Sequence, residues 1–218
     1  MKIQFLGHSC FSIASGSYTL LIDPFLSASP VAAARAEEVS ATHLFVTHGH
    51  HDHLGDALAI AARCRPVVYA TVETARLFPD DLTVEPGQIG GFVAAPFGGV
   101  KWTAALHGSG VPGSLACGYL LTIEGKKIYH AGDTGLSTEM SLLAEENVDA
   151  ALLPIGDRYT MGPADALRAL KLIRPRLVVP MHYNTWPLIR QDAVRFAEAA
   201  VAAGTKAVVL QPGETLDL

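Results

Sequence analysis

Clustered positive charge is missing from this 218-residue sequence. Its formal net charge is −5, and its densest cationic stretch is the pair Lys126-Lys127, where a hairpin turn is expected. A surface that grips nucleic acid needs grouped Lys and Arg to meet phosphates, so no nucleic-acid partner is expected. Cysteine is scarce as well. Cys10, Cys64 and Cys117 are odd in number and form no Cys-x-x-Cys pair. That speaks against a disulfide framework and for a reducing, cytoplasmic compartment. Apolar runs long enough to cross a bilayer are absent. The opening residues 2–6 alternate like a strand where a signal peptide would carry a continuous apolar core. Neither membrane insertion nor secretion is expected. Charged residues make up only 17% of the chain and hydrophobic ones 50%, a balance that buries a core and disfavours disorder. No repeat, low-complexity tract or long linker divides the sequence. Residues 1–218 are therefore expected to form a single domain, built as two closely packed halves.

What is present reads first as strands. Residues 2–6, 10–14 and 18–22 are short, apolar and β-branched or aromatic, punctuated by Gly7 and by Ser15-Gly16-Ser17. An Ala-rich stretch, 31–38, reads as a short helix. A buried strand over 44–47 runs into a histidine-rich loop and then a helix over 55–64. A strand over 67–70 and a short helix over 71–77 follow, and short strands and turns fill 80–99. Strands return at 100–106, 118–123 and 127–130. A helix is expected over 138–146, strands at 150–154, 177–180 and 207–210, and helices over 163–173 and 188–203. Pro163 suits a first helical turn, where its missing N–H costs nothing. The order is β-rich, βαβ-like, β-rich, βαβ-like. It implies an α/β fold of two sheets covered by helices and packed face to face.

The strongest chemical signal is Thr47-His48-Gly49-His50-His51-Asp52-His53. His48 and His50 are two apart at a strand end, where such residues face the same way. Asp52 and His53 follow as the chain turns toward a helix, which lets both bend back to a second ion. Imidazole nitrogen and carboxylate oxygen together suit zinc. A single histidine here would more often be structural. Packed together without an ion, several would repel when protonated and leave nitrogens unsatisfied when buried. His51 lies between ligands with reversed direction and is expected to be exposed or outside the ligand set. His107, Asp133 and His182 each follow a strand, and together with the cluster they complete two coordination spheres.

These residues, in this order, resemble the metallo-β-lactamase superfamily. Its four-layer αβ/βα sandwich is the fold the resemblance implies. The His-x-His-x-Asp-His motif falls on His48, His50, Asp52 and His53. Gly7-His8-Ser9-Cys10-Phe11, Gly132-Asp133-Thr134-Gly135-Leu136, Thr160-Met161-Gly162-Pro163 and Met181-His182-Tyr183-Asn184-Thr185-Trp186-Pro187 are similar to a narrower branch. That branch comprises small metal-dependent hydrolases akin to ascorbate-6-phosphate lactonase. By this resemblance His48, His50 and His107 hold one metal, Asp52, His53 and His182 the other, and Asp133 bridges them. The cofactor implied is a pair of divalent ions, zinc first, with manganese, nickel or iron also admitted.

Two such ions carry four positive charges, of which Asp52 and Asp133 offset two. A centre of this kind lowers the pKa of bound water and polarises a carbonyl or phosphoryl oxygen. The implied reaction is hydrolysis of an ester, lactone or phosphodiester bond in a small, anionic substrate, with Asp52 and Asp133 as the catalytic carboxylates. His8, Tyr183 and Asn184 are candidates for substrate contact or for support of the ligands, with ordinary packing as the plainer role. The alternative on the same scaffold is an oxidoreductase, a mononuclear iron enzyme acting on persulfides. A homo-oligomer is expected.

Overall fold

Alternation of side chains decides how the segments stack. The computed structural model describes residues 1–218. In chain order its first half comprises β1 (Lys2–Gly7), β2 (Cys10–Ser15), β3 (Tyr18–Ile22), β4 (His43–Phe45), α1 (His51–Leu54), α2 (Ala57–Cys64), β5 (Val67–Thr71), α3 (Val72–Ala75), β6 (Val84–Gly87) and β7 (Phe92–Ala95). The second comprises β8 (Gly98–Ala104), β9 (Cys117–Ile123), β10 (Lys126–His130), β11 (Ala150–Pro154), α4 (Pro163–Ile173), β12 (Leu177–Met181), α5 (Ala193–Ala202), β13 (Lys206–Ala207) and β14 (Thr215–Asp217). One seven-stranded sheet has the order β14-β1-β2-β3-β4-β5-β6, and the other runs β13-β12-β11-β10-β9-β8-β7. Both are mixed: β3 pairs parallel with β4, and β10 with β11, while the hairpins are antiparallel. This is the expected αβ/βα sandwich.

Leu20, Ile22 and Phe45 point into the main core between the sheets, while Leu21, Leu44 and Val46 point the other way, against Ile60 and Ala61 of α2. Strands buried on both faces read as continuous apolar runs, which explains 18–22 and 44–47. At the centre Phe45 stacks on Tyr69 at 4.7 Å and meets Tyr119 edge-on at 5.2 Å. The Tyr119 hydroxyl reaches across from the second sheet to the Val46 carbonyl (2.8 Å) and the Tyr69 carbonyl (3.0 Å). That strut pins the end of β4 just before the histidine cluster. Tyr119→Phe strips this buried carbonyl of its hydroxyl partner, so it is expected to cost about 1–3 kcal/mol. Urea denaturation of the metal-free protein measures it, and an unchanged midpoint would refute the strut.

Several boundaries differ from expectation. The stretch 31–38 is irregular, not helical. Its backbone is held from outside: Arg63 donates to the carbonyls of Ala36 (2.8 Å) and Val39 (2.6 Å), and Ala33 N–H donates to Leu6 O. The expected loop at the cluster contains the one-turn α1, and Gly55 at φ +41° separates it from α2. Residues 138–145 form a 3-10 helix. The expected 188–203 helix splits into a 3-10 turn at Pro187–Ile189 and α5, whose N-cap Asp192 accepts from Arg195 N–H at 2.9 Å. Of the expected strand 207–210 only Ala207 pairs, next to Lys206 in β13, and β14 pairs with β1. No helix is long and apolar enough to cross a membrane.

Candidate metal centre

Strand ends deliver the polar side chains. His8 follows β1, Asp23 follows β3, and His182 follows β12 directly, while His48, His107 and Asp133 each stand three residues beyond β4, β8 and β10. A sheet end is where the chain leaves its ladder and its side chains are free to converge.

Asp23 organises the first approach. Its Oδ1 accepts Thr47 N–H at 2.8 Å, and its Oδ2 accepts the Thr47 hydroxyl at 2.7 Å. The same Oδ2 lies 2.7 Å from His53 Nδ1. Thr47 O is also tied to the second sheet by Cys117 N–H at 3.0 Å. His48 and His50 then project together. His48 Nε2 stands 3.0 Å from His50 Nδ1, and His107 Nε2 stands 3.2 Å from the same atom. Gly110, at φ +70°, lies flat against the His50 ring, and a Cβ there would come within 2.6 Å of it. Around an ion at about 2.0–2.1 Å, tetrahedral ligand nitrogens stand about 3.3 Å apart. The observed spacings fit that edge.

A second group comprises His8, Asp52, His53 and His182, whose donor atoms lie within 4.8 Å of one another. Asp133 joins the two. Its Oδ1 is 3.2 Å from His53 Nε2, and its Oδ2 is 3.0 Å from His182 Nε2 and 3.6 Å from His107 Nε2. His8 Nε2 is 3.3 Å from Asp52 Oδ2, and its Nδ1 is 2.8 Å from the Thr185 hydroxyl. His8 (φ +56°) and His182 (φ +54°) both adopt the left-handed backbone that side chains rarely take, and His182 N–H donates to His8 O at 2.8 Å. Such outliers persist where the surroundings over-determine them.

Close approach here does not mean hydrogen bonding. His8 Nε2, His53 Nε2, Asp133 Oδ1 and both His182 nitrogens are buried, and none has a hydrogen-bond partner. A buried polar atom left unpaired costs about 1–3 kcal/mol. Several donor lone pairs converging on one point are stabilised by a cation between them, so the residues fit a metal. The electrostatics agree. Burial pushes His48 down to about 2 and His8 down to about 4, so both rings are neutral and available at neutral pH. Burial also opposes charge on His53, yet the Asp133 and Asp23 carboxylates outweigh it and raise its pKa well above the ordinary value. Asp133 is buried too, but His53 and His182 hold it well below the carboxylate range. Asp52 is likewise depressed: His8 and His53 overcome its burial.

All seven expected ligand residues thus meet at one place, and His8 meets them. The His51 side chain is 78% exposed. Tyr183 and Asn184 line a separate cavity of about 590 Å³ on the far side of His8, while Trp186 lines the mouth above the cluster. Sequence reasoning missed three supporting residues. Asp23 and Thr185 orient His53 and His8. Buried His130 receives Gly132 N–H at Nδ1 (3.1 Å) and meets Ser9 O through Nε2 (2.9 Å), shaping the turn into Asp133. The available signal for Asp23 was a carboxylate at a strand end, as for Asp133.

Two seven-stranded sheets with a candidate metal cluster at their strand ends place the chain in the β-lactamase superfamily. The family model described as a beta-lactamase superfamily domain matches residues 2–182. More narrowly, the chain belongs to the UPF0173 family of metal-dependent hydrolases. A member from Pelotomaculum thermopropionicum is 47% identical over 229 residues, covering 100% of both chains. One from Thermus thermophilus is 44% identical over 223 residues, covering 100% of this chain and 99% of its own. Among solved structures, a metallo hydrolase from the archaeon Ignicoccus hospitalis superposes with a TM-score of 0.92 at 36% identity, covering 100% of this chain and 98% of that one.

Proposed function

We propose that this chain is a binuclear zinc hydrolase that cleaves an ester, lactone or phosphodiester bond of a small anionic molecule. His48, His50 and His107 hold one ion in this reading, Asp52, His53 and His182 the other, with Asp133 between them. The observation that carries it is the set of buried donors facing one another without hydrogen bonds, His53 Nε2, Asp133 Oδ1 and His182 Nε2. Two divalent ions held there would lower the pKa of water and polarise a carbonyl or phosphoryl oxygen. Asp52 would orient the attacking water with its carboxylate. His8, fixed by Thr185, is a positioning residue for that carboxylate. Asn184 supports the loop from behind, where its Oδ1 accepts Gln191 N–H at 2.8 Å, and Tyr183 packs beside it. Two carboxylates against four positive charges leave the centre positive, which favours an anion at the scissile end.

Elemental analysis of purified protein tests this, paired with hydrolysis of model lactones and phosphodiesters before and after chelation. Two zinc ions per chain, with activity lost on chelation and restored by metal, support it. A single iron with oxygen uptake and no hydrolysis sinks it.

Acidity gives a second test. In the metal-free protein His53 lies between the Asp133 and Asp23 carboxylates, which outweigh its burial and favour a proton on both ring nitrogens. An ion at Nε2 must expel one. His48 and His8 are already neutral at pH 7 and release none. Zinc uptake at pH 7 is therefore expected to release a proton, and affinity to rise with pH by about tenfold per unit for each proton expelled. Calorimetric titration in buffers of different ionisation enthalpy counts the protons. A count of zero contradicts the expectation.

A further inference from the structure

Above the ligand cluster is a cavity of about 430 Å³. It is lined by His50, Asp52, His107, Asp133 and His182 of the cluster and by the exposed His51. Its rim is Tyr159, Trp186 and Leu188, and no Lys or Arg lines it. Tyr159 and Leu188 are 50% and 57% exposed, a large apolar surface to leave in water beside a charged centre. Rim residues of this kind mark recognition when they adjoin a site and form one patch.

The rim is also held in place. Trp186 packs 5.1 Å from the His8 ring and 6.0 Å from Phe25. Leu188 sits in the 3-10 turn Pro187–Ile189, closed by Ile189 N–H to Trp186 O at 3.1 Å. Tyr159 belongs to a tight loop in which Asp157 N–H donates to Met161 O and Thr160 N–H to Asp157 O. Arg158 lies 5.9 Å from the Tyr159 ring centroid but outside the cavity lining.

Charge separates two kinds of substrate. A molecule with a second, remote anion, such as a sugar phosphate, needs a cationic side chain to receive it, since guanidinium or ammonium groups are the usual partners of phosphate. The lining supplies no guanidinium or ammonium group, only the imidazole of His51 outside the ligand set. An aryl or alkyl arm, by contrast, finds three apolar side chains at the height where the rest of the substrate must leave the metals. We infer that the substrate is an ester or lactone with its scissile carbonyl over the ion site, an apolar arm against Trp186, Leu188 and Tyr159, and no anionic group. This rests on the hydrolase reading above, keeps its ester and lactone chemistry, and replaces its anionic substrate with an apolar one. In the reaction water supplies the oxygen that bonds to the acyl carbon, the acyl–oxygen bond breaks, and the leaving oxygen gains the proton.

The experiment uses zinc-loaded full-length protein and γ-lactones in three forms: unsubstituted, carrying a hexyl tail, and carrying a phosphate-bearing side chain. The ratio of kcat/KM for the tailed over the unsubstituted lactone is expected to reach at least about tenfold, since a single methylene in an apolar pocket is worth about that much. Leu188→Ala and Tyr159→Ala are each expected to lower the ratio severalfold. A faster phosphate-bearing lactone, or a ratio near one that neither variant moves, overturns the inference. A binding measurement separates it from the hydrolase reading. The tailed and untailed hydroxy acids, titrated into the zinc-loaded protein, should differ in affinity by at least about tenfold, and Leu188→Ala should shrink the difference. If no lactone turns over but this tail dependence holds, the hydrolase reading fails and the apolar-arm site stands. If binding is indifferent to the tail, the inference fails whatever the turnover.

Discussion

Asp133→Asn is expected to reduce hydrolysis by more than about a hundredfold and to lower metal content while the chain stays folded. The carboxylate stands between the two donor groups, Oδ1 toward His53 and Oδ2 toward His182 and His107. An amide keeps one oxygen and replaces the other with an N–H donor, which cannot serve as a ligand. Removing a group that merely orients a ligand already costs about 10–100-fold in metal affinity or activity, so loss of the shared carboxylate should exceed that. The shape of the side chain is unchanged, and its neighbours Gly132 and Thr134 keep their bonds to His130 Nδ1 and Leu106 N–H. Metal analysis, far-UV circular dichroism and turnover on one preparation decide it. Wild-type turnover at full metal content would remove Asp133 from its assigned place. His51→Ala is the matched control: its side chain is 78% exposed, and metal content should not change.

The difference between these two positions shows what was legible beforehand. His48, His50, Asp52 and His53 are close in sequence, and the backbone alone, extended and then turning, brings them together. Helix Pro163–Ile173 was equally readable, because Pro163 and the burial of Ala166, Ala169, Leu170 and Ile173 mark one start and one face. Where the deciding contact is distant, local reading fails. Alanine favours helix, yet 31–38 is irregular, and Arg63, more than twenty residues on, holds the carbonyl of Ala36 and that of Val39 just beyond the stretch. The 3-10 turn at Pro187–Ile189 puts Leu188 on the cavity rim, where a continuous helix over 188–203 had been expected. Tyr183 and Asn184 adjoin His182 in sequence, but they line the cavity that includes His8 and not the one above the ligands.

Asp23 is the clearest case of a residue whose role only the fold reveals, and Asp23→Asn tests it. Thirty residues separate it from His53, yet its Oδ2 lies 2.7 Å from His53 Nδ1 with both side chains fully buried. A carboxylate there accepts Nδ1–H and so leaves the Nε2 lone pair for an ion. Asparagine can still accept Thr47 N–H through its carbonyl oxygen. Its NH₂ group then faces the Thr47 hydroxyl and His53 Nδ1, and it donates where the carboxylate accepted. Nδ1 must become the acceptor, which moves the ring proton to Nε2, the atom that faces Asp133. The variant is therefore expected to bind the ion near His53 about 10–100-fold more weakly, with the other ion affected less. Stepwise zinc titration followed by cobalt substitution reads the two sites separately, and the metal-free variant should unfold cooperatively. Equal weakening at both sites would mean that Asp23 acts on the backbone through Thr47. Unchanged affinity at both would mean that the His53 tautomer does not control binding at all.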